Sequence, residues 1–153
     1  MIDLLIVFRE NQNYFGFYST DFSAHFSVDQ VWVTPPEGNP PIWSFEGRKN
    51  TLQGTFVHLS TLLGLPSCDL SHKGFIFLKE ITVNDTIGLY MDRFFTQVSA
   101  DKITKKILET NHFPDLPNSI VASAFKYTVE IKRKTVTIID PTRLFEAYGL
   151  LPI

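Results

Sequence analysis

The sequence predicts a mainly β protein of about ten short strands and three short helices, in two similar halves that close as small antiparallel barrels. Three observations carry that expectation. Among 153 residues there are 14 Phe, 5 Tyr and 2 Trp, with many Ile, Val and Thr, and such side chains suit a pleated, half-buried surface. Short apolar runs recur between clusters of turn residues. The chain also reads as two similar halves, each finishing in a helical turn, and closing each half into a barrel removes its exposed edges.

Leu4 to Phe8 and Tyr14 to Tyr18 are apolar runs separated by Arg9-Glu10-Asn11-Gln12-Asn13, which reads as a hairpin. Phe26 to Thr34 alternates loosely as a strand, and Pro35-Pro36-Glu37-Gly38-Asn39-Pro40-Pro41 is expected to be a loop because proline cannot donate ladder hydrogen bonds. Two strands are expected from Trp43 to Leu59, followed by a helical turn ended by Gly64 and a linker over Pro66 to Ser71. Phe75 to Lys79 and Thr86 to Met91 read as strands joined through Val83-Asn84-Asp85, and Phe94 to Val98 continues the sheet. Ser99 is expected to cap a helix running through Leu108, and Asn111 to Asn118 to be a loop. Tyr127, Val129 and Ile131 alternate with Thr128, Glu130 and Lys132, the period-2 mark of a half-buried strand. Thr135 to Ile139 returns the chain, and Asp140-Pro141 starts a closing helix with Asp as N-cap and Pro at its first position.

Fourteen basic against sixteen acidic residues leave a formal charge of −2, a poor platform for attracting a polyanion over the whole surface. Cys68 is the only cysteine, so no disulfide within the chain and no multi-cysteine zinc cluster can form. The first apolar run ends at Arg9, and no run approaches the roughly 20 residues of a spanning helix, so a soluble, cytoplasmic protein without direct membrane insertion is expected.

Asp92, Asp140 and His58 are the best candidates for acid–base work, yet capping and turn roles account for both aspartates. No phosphate loop, zinc-type histidine pair or nucleophile elbow is present, and the chain is expected not to be an enzyme. His25, His58, His72, His112 and Cys68 are scattered, so no metal and no cofactor are expected. The rival reading is an aromatic-rich barrel binding single-stranded nucleic acid through exposed rings beside Lys126, Lys132, Arg133 and Lys134. Against it, the basic residues cluster in one hairpin and the aromatics alternate as core residues do.

Four segments in order resemble the chemotaxis coupling proteins of the CheW family. Leu5-Ile6-Val7-Phe8 with Tyr14-Phe15-Gly16 is similar to the family's opening hairpin. Val57-His58-Leu59-Ser60-Thr61-Leu62-Leu63-Gly64-Leu65 resembles a segment in which Asp is usual where His58 stands. Ile87-Gly88-Leu89-Tyr90-Met91-Asp92-Arg93-Phe94 is similar to a Gly-Leu-Val-Val-Asp-x-Val signature, and Thr137 to Phe145 to the closing strand and helix. The resemblance covers nearly the whole chain. It implies two five-stranded barrels, SH3-like or OB-like, packed on a shared hydrophobic core with a few short helices, as one CheW-like domain over 1–153, with a first subdomain at 16–72, a second at 73–140 completed by the N-terminal hairpin, and a helix at 141–149. It also implies a noncatalytic adaptor that couples the cytoplasmic tip of a chemoreceptor to the regulatory domain of a chemotaxis-type histidine kinase. The expected place is the cytoplasm, at the inner membrane where receptor arrays form.

One departure bears on partner contact. The family's Gly-x-x-Asn-Leu-Arg-Gly falls on Phe45 to Gly54, where one alignment places Asn50-Thr51 and another Gln53-Gly54 at the Arg-Gly pair. Neither restores the arginine, whose charged fork an amide does not replace. The partner-binding positions that the resemblance implies are Phe22, Asn50, Gln53, Phe75, Ile76, Gly88 and Phe94. Phe22 reads equally as a core residue, Phe94 reads as core or contact, and Gly88 reads as a place where the strand bends.

Overall fold

The computed structural model describes residues 3–10, 12–65, 70, 74–80, 86–103, 113 and 119–150. Its strands, in chain order, are β1 (Leu4–Glu10), β2 (Asn13–Tyr18), β3 (Ala24–Ser27), β4 (Val31–Glu37), β5 (Ile42–Gly47), β6 (Gln53–His58), β7 (Phe75–Glu80), β8 (Thr86–Met91), β9 (Phe94–Ser99), β10 (Phe125–Ile131) and β11 (Lys134–Ile139). Helix α1 (Leu59–Leu62) follows β6, and α2 (Pro141–Ala147) follows β11. The expected turn at 83–85, most of the 66–71 linker, the helix beyond Ile103, and the 111–118 loop apart from Phe113 lie outside the described residues. No helix among the described residues is long and apolar enough to cross a membrane.

The strands form a five-stranded sheet in the order β10-β11-β2-β1-β9 and a six-stranded sheet in the order β3-β7-β8-β6-β5-β4. The mainly β fold with two sheet units and few helices is as expected; the second sheet carries six strands rather than five. The chain divides into a unit holding residues up to Asp21 and from Arg93 onward, and a unit from Phe22 to Asp92. The boundaries expected at 16–72 and 73–140 are corrected by pairing: β7 is hydrogen-bonded to β3 and β8 is parallel to β6, which keeps residues 75–91 in the sheet of residues 24–58.

Each sheet curls on an apolar interior. In the first unit Leu5, Val7, Ile103, Val129, Ile131, Val136 and Ile138 form one buried cluster, with Tyr14, Tyr18, Phe95, Val98 and Tyr127 packed against it. Because β10 and β9 are the two ends of that sheet and still share one cluster, the sheet wraps on itself. In the second unit Phe26, Val28, Val31, Phe45, Phe56, Ile76, Leu78 and Tyr90 form the interior. There the ring of Phe26, from end strand β3, lies 5.4 Å from that of Phe45. The short 3-10 turn Val28–Gln30 carries the chain directly from β3 to β4, the opposite end of the sheet.

The expected loop at 35–41 begins later than its prolines suggest. Pro35 and Pro36 lie inside β4, whose pairing with β5 slips between Thr34 and Glu37. An edge strand with a bulge tolerates missing N–H donors that a central strand does not. Ser99 makes no side-chain capping bond, and a 3-10 turn at Ala100–Lys102 starts there. A further 3-10 stretch, Ser119–Ala124, precedes β10 and has no counterpart in the sequence-based expectation.

Candidate interaction surface

The surface with the most developed geometry is on the six-stranded sheet at β4, and it grows from the alternation Val31-Trp32-Val33. Val31 turns into the core, so Trp32 must face outward, and it stands 59% exposed. The chain returns to it through the β5–β6 turn. Arg48 donates its backbone N–H to Gln30 O (3.1 Å) and its Nε–H to Val31 O (3.3 Å). Those two bonds lay the guanidinium over the indole, 3.9 Å from the ring centroid, a cation–π stack that holds both side chains in place. Two shallow hollows flank the pair. One of about 410 Å³ is lined by Asp29, Gln30, Arg48, Lys49 and Asn50; the other, about 260 Å³, is lined by Val28, Val31, Val33 and Leu70 together with Asp29, Trp32 and Arg48.

The turn beneath this platform is fixed by Asn50. Its Oδ1 accepts the Leu52 N–H at 3.0 Å, and Leu52 O accepts the Gly47 N–H at 2.6 Å. A Cβ at Gly47 would overlap the Asn50 amide, so the loop closes only with glycine there. Asn50 is therefore a turn-forming residue on the rim of the polar hollow. Gln53 is exposed at the start of β6, opposite Glu46.

The other expected positions separate. Phe22 is half-buried with its ring 5.4 Å from Phe77, on whose ring His25 stacks at 5.3 Å. Phe75 is half-buried at the start of β7, opposite Ser27 and Met91. Ile76 corrects the expectation of a surface strand: it is 0% exposed, and its side chain belongs to the core. Gly88 does not mark a bend, since β8 runs in unbroken register past it. It is a place of close approach, where a Cβ would lie 2.8 Å from Phe56 Cβ and 2.9 Å from Ile76 Cγ2. Phe94, in the other unit, is 50% exposed, with its ring edge-on to Phe8 at 5.9 Å, so half of it is open to contact. Trp32 and Arg48 were absent from the expected set. The signal for Trp32 was present, as the large residue out of phase with Val31 and Val33; nothing in the sequence announces that Arg48 folds back onto it.

Two of the three candidates for chemistry, Asp140 and His58, have structural roles. Asp140 Oδ1 accepts the N–H groups of Thr142 (3.0 Å) and Arg143 (3.3 Å) and caps α2. His58 caps α1: its Nδ1 accepts the Ser60 N–H at 3.2 Å, with Ser60 Oγ at 2.7 Å. Nδ1 is therefore the unprotonated nitrogen, and the proton sits on Nε2, buried without a partner. Burial pushes the His58 pKa below its ordinary value of 6.5, against a smaller opposing pull from Asp92. Among the described residues no three His, Cys, Asp or Glu side chains converge on a metal-sized site; Cys68, His72 and His112 lie outside them.

The fold, two curled sheets that each contain one parallel pair passing into a capped helix, is similar to that of a solved scaffolding protein. The chain is similar to the crystal structure of scaffolding protein TtCheW from Thermoanaerobacter tengcongensis, with a TM-score of 0.65 and 17% sequence identity, over 95% of this chain and 88% of that one. No protein-family model matches the sequence, and no curated protein does.

Proposed function

We propose that this protein is a noncatalytic scaffold in chemosensory signalling, joining the cytoplasmic tip of a chemoreceptor to the regulatory domain of a histidine kinase. The observation that carries the reading is the likeness to a scaffolding protein across almost the whole chain. The Trp32–Arg48 platform supports it, because Trp and Arg are the residues most enriched at the energetic centres of interfaces, and a stacked pair has little side-chain freedom left to lose on binding. In this reading Trp32 and Arg48 sit at the kinase contact, with Asn50 shaping the loop and Gln53 at its rim. Phe94 supplies a separate apolar contact, and the protein works in the cytoplasm, drawn to the membrane by its receptor.

The test is pulldown of the regulatory domain of the chemotaxis-type kinase from the same organism, with an unrelated small β-barrel as control. Enrichment over the control is expected. Trp32→Ala, an exposed change that leaves the core intact, is expected to weaken the complex by about 2 kcal/mol or more, roughly thirtyfold. Equal recovery by the control barrel would sink the scaffold reading. Full binding by Trp32→Ala would move the contact elsewhere.

A further inference from the structure

The β10–β11 turn holds two residues in an unfavourable backbone conformation. Lys132 (φ 49°) and Arg133 (φ 65°) both lie in the left-handed region. A two-residue hairpin turn of this kind selects Asn-Gly, because at positive φ a Cβ comes too close to the following carbonyl oxygen, which glycine avoids and asparagine tolerates. Here both positions, and Lys134 after them, carry exposed positive charges, and no carboxylate among the described residues pairs with any of the three.

The charges are also placed. Lys132 Nζ lies 5.7 Å from the Phe95 ring and Lys134 Nζ 5.7 Å from the Tyr14 ring. Those two rings meet edge-on at 4.8 Å. Tyr14 and Phe95 belong to β2 and β9 and pack on the apolar cluster of the five-stranded sheet, so the ammonium groups are steered to one rim of that barrel. Arg9, exposed on β1, stands opposite Tyr14 on the same rim. Two carboxylates share this end of the sheet, Glu10 buried on β1 opposite Asn13 and Glu130 exposed on β10 opposite Thr135, so the four basic side chains outnumber the acidic ones there.

We propose that this rim is a docking site for an acidic segment of a partner protein, a short run of Asp and Glu side chains lying across the β10–β11 turn. A carboxylate is the ligand that three unpaired cations of this spacing complement. Nucleic acid fits less well. Tyr14 and Phe95 are half-buried with lysines over their faces, leaving no open ring on which a base stacks. Lys126 lies at the far end of β10, roughly 20 Å along the strand from Lys132, beside Tyr18 and Tyr127. The basic residues therefore do not make one continuous track. An anionic bilayer fits less well too, since the turn Lys132-Arg133-Lys134-Thr135 presents no apolar side chain to insert. The inference does not depend on the scaffold reading.

The test is an NMR titration of the full chain with a synthetic glutamate-rich peptide at low and at physiological salt, with a single-stranded oligonucleotide and phosphatidylserine vesicles in parallel. Amide shifts centred on residues 130–136, with an affinity that falls as salt rises, are expected. Lys132→Asn combined with Arg133→Gly restores the favoured turn, so it should raise the melting temperature while lowering peptide affinity roughly tenfold. Lys126→Gln should leave affinity unchanged. The idea is overturned by unchanged affinity in the double variant, by an equal loss in Lys126→Gln, or by tighter binding to the oligonucleotide or the vesicles than to the peptide.

Discussion

The β6–α1 junction and the β11–α2 junction occupy equivalent places in the two sheets, and they are started by different chemistry. In the first unit β11 runs parallel to β2, which is antiparallel to β1; in the second, β6 runs parallel to β8, which is antiparallel to β7. Each parallel strand then passes into a helix. The ends match as well: Gly64 (φ 74°) and Gly149 (φ 65°) follow the helices, and the next residues, Leu65 and Leu150, return N–H bonds to Ser60 O and Phe145 O. The N-caps differ, a half-exposed carboxylate at Asp140 and a buried imidazole at His58. One structural plan has thus been executed with a carboxylate cap in one sheet and, in the other, an imidazole cap whose pKa burial pushes down.

A second pair of equivalent positions predicts the largest effect. Gly16 and Gly88 lie on the strand between the parallel and the antiparallel neighbour, opposite Ile138 and Val7 in one sheet and Phe56 and Leu78 in the other. A Cβ at Gly16 would meet terminal methyls, Leu5 Cδ1 at 2.9 Å, Ile138 Cδ1 at 3.1 Å and Val136 Cγ1 at 3.2 Å. The two closest, Leu5 Cδ1 and Ile138 Cδ1, are the far ends of side chains and can rotate away, and Val136 Cγ1 need give only a few tenths of an ångström. A Cβ at Gly88 meets Phe56 Cβ, which moves only with the backbone, and Ile76 Cγ2 on a stiff branched side chain. Gly88→Ala should cost about 3 kcal/mol in denaturant unfolding, and Gly16→Ala about 1. Equal losses at the two sites would mean that the second sheet is as compliant as the first.

Much of this pairing was legible in the sequence. The alternation at Tyr127 to Ile131, the Asp140-Pro141 helix start and the two halves ending in helical turns all have local causes. What failed was non-local. Ile76 looks like any apolar residue opening a strand, and only its central place between β3 and β8 buries it. Pro35-Pro36 reads as a loop because the sequence does not say that β4 is an edge. The Arg48–Trp32 stack joins two strands through a turn set by Asn50, and no periodicity within either strand encodes it.

Removing the carboxylate cap should have the next largest effect. Asp140→Ala strips the acceptor from two N–H groups at the head of α2, whose Leu144 and Phe145 are fully buried. A loss of about 1 kcal/mol is expected. The exposed Arg143–Asp140 pair at 3.8 Å adds little to it. A loss below a few tenths would show that α2 is held by burial alone.

The imidazole cap predicts a smaller effect, confined to a pH range. Since the His58 pKa is lower in the folded protein than in the unfolded chain, the unfolded chain takes up its proton first as the pH falls. Stability is then unaffected by this group above about 6.5, falls as the pH drops below that value, and levels off once the folded protein is protonated as well. The slope cannot exceed about 1.4 kcal/mol per pH unit for one group. Protonation also forces Nδ1 to become a donor, which ends its acceptance of the Ser60 N–H. His58→Asn keeps a capping oxygen and cannot titrate, so its melting temperature should change less than that of the parent between pH 6.5 and 5. The other three histidines, His25, His72 and His112, are the same in both proteins. Parallel melting curves for parent and variant across that range would show that the two caps are interchangeable after all.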